Sequence, residues 1–126
     1  MDSGITVQSS GNLLTVIFRG KLGVAEMAHY QEDMERATAA VPKGFVLLTD
    51  ITDLESMDLA CSPFIRKGMA LCRAKGVSTI VRVIPDLSRD PGFNIMSLFH
   101  YPRSVQIHTC PTRAEADKIL ATLMAK

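Results

Sequence analysis

The most constraining feature of this chain is a short stretch near its middle. Phe45-Val46-Leu47-Leu48 is a continuous apolar run that ends in Thr49-Asp50. A strand with one wet face alternates apolar and polar residues, whereas an unbroken apolar run suits a central strand covered on both faces. Such a strand needs helices to cover it, and the flanking sequence supplies them. Over 24–41, Met27, Tyr30, Met34, Ala37 and Val41 recur at three- and four-residue steps, with Glu26, His29, Glu32, Asp33 and Arg36 on the other side. Pro42-Lys43-Gly44 ends that helix. After the run, Ile65, Met69 and Cys72 form a second buried stripe, Arg66, Lys67 and Arg73 stay outside, and Lys75-Gly76 closes the helix. Ser62-Pro63 reads as an N-cap followed by proline at the first helical position; Asp58 is the alternative cap of a helix that starts slightly earlier.

The rest of the chain extends this pattern. Residues 5–10 alternate, Gly11-Asn12 is a turn signal, and 13–18 is a second strand, together a hairpin. Residues 77–84 form a strand stopped by Pro85, and 91–101, with Phe93, Met96 and Phe99, a third helix ended by Pro102. A short strand over 105–108 precedes Thr112-Arg113-Ala114-Glu115, a capping box that opens a terminal helix bearing Ala116, Ile119, Leu120 and Leu123. The order β-β-α-β-α-β-α-β-α predicts an α/β fold with a mixed sheet, about five strands and four helices. The 126 residues fit a single domain over 1–126, since one domain holds roughly 100–200.

Charge and cysteine usage exclude several function classes. Fourteen basic against thirteen acidic residues leave a net charge of +1, which gives no general attraction to nucleic acid or to acidic membranes. No apolar run approaches the ~20 residues of a membrane helix, and Met1-Asp2-Ser3-Gly4 is no signal peptide. Cys61, Cys72 and Cys110 are odd in number and widely spaced, which fits free thiols in a reducing compartment and a cytoplasmic location. His29, His100 and His108 lie in separate segments, so zinc-ligand spacing is missing. Gly20, Gly23 and Gly92 form no phosphate loop, and no cofactor is expected. Asp50 at a strand end would suit a phosphorylated receiver domain, but such a domain needs acids after its first strand, and 5–19 contain none. The acids Asp50, Asp53, Glu55 and Asp58 do not have EF-hand spacing; they read as a solvated loop that favours the next helix N-terminus.

The stretch from Val46 through Asp50 to Asp58, with the helix after it, resembles the STAS family, which includes the bacterial anti-sigma-factor antagonists. That family shows a strand ending in Asp, a short loop, a second Asp, a small-residue segment and an amphipathic helix. Asp50, Asp58 and Lys75-Gly76-Val77-Ser78-Thr79-Ile80-Val81 occupy corresponding places, and Phe18-Arg19-Gly20-Lys21-Leu22 is similar to the family's G-x-L after the second strand. The resemblance covers about residues 5–120. It implies a regulatory protein-interaction domain without catalytic machinery. In the antagonists a phosphorylatable serine follows the second Asp; here Leu59 and Ala60 stand there, which places this chain nearer the SpoIIAA-like branch without that serine. Ser56 and Ser62 are the nearest hydroxyls and the candidate phosphorylation sites in its place. The expected partner-binding residues are Asp58, Leu59, Ala60, Cys61, Ser62, Arg66 and Lys67. A second expectation is a pocket for a small apolar or lipid-like ligand lined by Met57, Leu59, Phe93, Met96, Phe99 and Tyr101. The unpaired edge of the N-terminal hairpin allows a homodimer.

Overall fold

The computed structural model describes residues 3–85 and 105–124. It contains β1 (Gly4–Ser10), β2 (Leu13–Leu22), α1 (Val24–Ala40), β3 (Val46–Met57), a 3₁₀ turn (Leu59–Cys61), α2 (Ser62–Lys75), β4 (Thr79–Val83), β5 (Gln106–Cys110) and α3 (Arg113–Met124). The strands form one sheet in the order β1-β2-β3-β4-β5, with β1 antiparallel to β2 and every other pair parallel. The mixed five-stranded sheet is as expected. Three α-helices, not four, lie among the described residues; the helix expected over 91–101 falls outside them.

β3 is the middle strand, and its packing explains the unbroken apolar run. Leu47 joins Leu14, Val16, Phe18 and Ile80 in a core beneath α1 and α2. Val46 and Leu48 turn the other way and pack with Val81, Val83 and Cys110 against Ala116 and Leu120 of α3. Successive side chains of one strand thus feed two cores, so neither parity can be polar.

The stretch after Asp50, expected as a loop, is strand up to Met57. β2 is long enough to pair it: Arg19 stands opposite Asp53, Lys21 opposite Ser56 and Leu22 opposite Met57. The backbone pairing with β2 holds this acid-rich segment extended, while the Arg19 guanidinium bonds the Thr6 hydroxyl of β1 at 2.7 Å. Propensity alone misses this, because Asp and Glu are poor strand formers in isolation. β3 advances three residues while β2 advances two between the Ile17–Asp50 and Arg19–Asp53 pairs, and two while β2 advances one between Gly20–Leu54 and Lys21–Ser56. These are bulges, each of which bends the strand and resets which face its side chains meet. Gly20 sits at φ 71, and a Cβ there would come within 2.9 Å of the Ser3 backbone. The G-x-L of the second strand therefore has a local cause: only glycine fits both this backbone conformation and this close approach.

Candidate functional site

The carboxyl ends of β2 and β3 form a corner. The Asp58 backbone N–H donates to the Leu22 carbonyl at 2.9 Å, Cys61 N–H donates to the Asp58 carbonyl at 2.9 Å, and the Asp58 carboxylate accepts from Ala60 N–H at 3.2 Å. Asp58 is thus the cap of the 3₁₀ turn that leads into α2. Ser62, the first-named cap in the sequence reading, lies inside the helix with no capping bond from its side chain, and Pro63 follows it in the first turn. The earlier helical start wins because Asp58 reaches a free N–H two residues on, whereas Ser62 is already helical at φ −50, ψ −47.

This turn leaves Leu59 63% exposed. Val24, the first residue of α1, is 46% exposed, and these two are the exposed large hydrophobics among the described residues. They follow paired strand ends: Leu22 lies opposite Met57, Val24 comes two residues after the first and Leu59 two after the second. Val24 escaped the sequence reading because it lies three residues before Met27. A three-residue step back from the Met27 stripe points to burial, yet Val24 is the first residue of α1, two past the end of β2, and stays exposed.

The expected partner-binding residues divide by burial. Asp58, Leu59, Ala60, Arg66 and Lys67 are exposed. Cys61 is fully buried and Ser62 only 9% exposed, with Cys61 Sγ turned toward the Leu22 carbonyl at 3.9 Å. Cys61 holds the turn to β2, the Ser62 backbone N–H donates to the Leu59 carbonyl, and neither belongs to the outer surface. Of the residues expected to line an apolar ligand pocket, Met57 is half-buried against the core beneath α1 and α2, and Leu59 faces outward. Phe93, Met96, Phe99 and Tyr101 lie outside the described residues. Ser56 is half-buried within β3, opposite Lys21.

Asp50 is buried at 6% exposure and its carboxylate is fully engaged. One oxygen accepts from Thr52 N–H at 2.9 Å and from the Thr52 hydroxyl at 2.5 Å; the other accepts from Arg113 Nη1 at 3.2 Å. The bulge just after Asp50 turns Thr52 back onto it. Asp50 therefore joins the central strand to the first residue of α3. Asp53 and Glu55 are exposed, and among the described residues no group of three His, Cys, Asp or Glu side chains converges as a metal site would require.

The three thiols are free and buried. Burial pushes Cys72 up to about 12 from an ordinary 9.0. Burial raises Cys61 too, aided by Asp58 and Glu26, and Cys110, aided by Glu115. Tyr30 is raised by burial and then by Cys72. All four are held in the protonated form, which opposes nucleophilic use. The consequence for stability has a definite sign: the unfolded Cys72 ionises first, so its contribution is complete below pH 9.0 and is lost as pH rises toward about 12. The unfolding free energy from urea titration should fall steadily above pH 9, by roughly 1.4 kcal/mol per pH unit for each such group. Cys72→Ala should flatten that slope; an unchanged slope would refute the assignment to Cys72.

No family model and no curated protein matches this chain. Solved structures do. An uncharacterised DUF3478-family protein with a SpoIIAA-like fold from Shewanella loihica PV-4 is 18% identical, with a TM-score of 0.67, over 95% of this chain and 96% of that one. The anti-sigma factor antagonist SpoIIAA in its unphosphorylated form is 12% identical, with a TM-score of 0.65, over 94% of this chain and 98% of that one. An anti-sigma factor antagonist from Mycobacterium paratuberculosis is 13% identical, with a TM-score of 0.57, over 95% of both chains. The chain therefore has the SpoIIAA-like, STAS-type fold. No helix among the described residues is long and apolar enough to cross a membrane.

Proposed function

We propose that this chain is a regulatory protein-interaction domain, without enzymatic activity, that takes its partner at the corner where β2 and β3 end. The observation that carries this reading is Leu59, 63% exposed on a capped, hydrogen-bonded turn. An apolar side chain carried on a hydrogen-bonded backbone turn suits an interface anchor, because the backbone has little conformational entropy left to lose on docking. Val24, two residues past the end of β2, is the second exposed large hydrophobic at these strand ends; Asp58 and, on the exposed face of α2, Arg66 and Lys67 are the charged residues around Leu59. Two of the similar structures are anti-sigma factor antagonists, which supports a protein as the occupant. With Leu59 and Ala60 directly after Asp58, nothing at those two positions can accept a phosphate.

Leu59→Asp should leave the unfolding temperature within about 2 °C of the parent, as surface changes do, yet abolish capture of the partner in a pull-down. Reversing the charges of Arg66 and Lys67 should slow association and make it less salt-sensitive. An identical captured set for the parent, Leu59→Asp and the charge-reversed variant would remove this corner as the binding surface. The apolar-ligand reading has less behind it: of its six residues the structure describes Met57 and Leu59, and Leu59 faces solvent.

A further inference from the structure

Beneath α1 and α2, against the sheet, lies a cavity of about 10 Å³, lined by Val16, Phe18, Met34 and Met69 among others, and by the hydroxyl-bearing Tyr30 and Thr49. Tyr30 is 4% and Thr49 5% exposed. Among the described residues neither hydroxyl meets a hydrogen-bond partner, whereas the buried hydroxyl of Thr38 donates to the Met34 carbonyl at 2.7 Å. A buried hydroxyl without a partner costs free energy, and native structures rarely leave one so. The cavity is about the size of one water-sized sphere, near the lower limit for holding a water molecule. It is far smaller than a lipid tail or an aromatic ring requires.

We infer that this cavity is a binding site for a single water molecule, bridging Tyr30 Oη on α1 and Thr49 Oγ1 on β3. Each hydroxyl can donate or accept, so one water in the cavity they line can satisfy both. The water makes a polar tie between helix and central strand inside an otherwise apolar layer. It is independent of the partner-binding corner, which lies at the strand ends.

The sign of a stability change tests this directly. If the water bridges the two hydroxyls, Tyr30→Phe and Thr49→Val should each lower the unfolding temperature by roughly 3–6 °C. The double variant should lose less than the sum, since both changes remove one shared bridge. If the hydroxyls are unpaired, Tyr30→Phe relieves a penalty, and an unchanged or higher unfolding temperature overturns the inference. A crystal structure of the full chain that shows ordered solvent supplies the second readout. One oxygen within roughly 2.7–3.2 Å of both hydroxyls supports the bridge; an empty cavity, or density longer than one oxygen, overturns it.

Discussion

Gly68→Ala should destabilise the fold by about 1–3 kcal/mol, although alanine is the better helix former. A Cβ at position 68 would lie 2.2 Å from Tyr30 Oη and 3.0 Å from its Cζ. The ring cannot swing aside cheaply: it is buried, and it packs on Phe18 at a centroid distance of 5.9 Å. Overpacking a core costs roughly 1–3 kcal/mol, while replacing glycine by alanine inside a helix gains at most about 1 kcal/mol. The clash wins because the contact is inside van der Waals distance and the neighbour is held. The cycle with Tyr30→Phe gives the prediction its specificity. That change is expected to weaken the parent but to recover part of the loss in Gly68→Ala, since it removes the atom the new methyl meets. Urea unfolding of the four proteins measures the coupling; a Gly68→Ala variant as stable as the parent would show that α1 and α2 have room to separate.

The second large effect is expected at Arg113. Its guanidinium is 40% exposed, whereas its partner Asp50 is 9% exposed at the side chain. Removing the arginine leaves a buried carboxylate with only the two Thr52 donors. Breaking a fully buried pair from one side costs about 3–5 kcal/mol; with Arg113 partly in water, about 2 kcal/mol is expected for Arg113→Ala. Removing both charges in Asp50→Ala/Arg113→Ala should cost less than the sum of the single changes, because the stranded charge is gone. Arg113 also bonds Asp117 at 3.1 Å, but that exposed pair contributes little. Asp117→Ala is the control, with a change within about 0.5 kcal/mol. Equal effects of Asp117→Ala and Arg113→Ala would mean that the buried bond to Asp50 carries no special weight.

The elements that were legible beforehand share a physical origin. The stripes of α1 and α2, the hairpin and the unbroken run of β3 are periodic burial written along the chain, and the periods survive whatever the neighbours do. Thr112 was legible as a cap, and its hydroxyl accepts from Glu115 N–H at 3.2 Å. What failed was local reasoning about segments whose fate depends on a distant strand. The acidic stretch 50–58 reads as a loop until the extended end of β2, through Leu22, pairs with it. Cys61 and Ser62 read as surface until the turn is bonded back to Leu22.

The same division holds for the molecule as a whole. The sequence by itself determined an α/β sheet with a central strand buried on both faces, because an apolar run and two amphipathic helices leave few other ways to remove that surface from water. It also marked Asp58 and Leu59, since the resemblance to the STAS family rests on the residues around them. Only the tertiary structure decided which of the neighbouring side chains face water, that Asp50 ties α3 to the sheet, and that Tyr30 and Thr49 share one small cavity. Those facts depend on contacts between residues far apart in the chain, and no periodicity along a single segment can encode the distance between two segments.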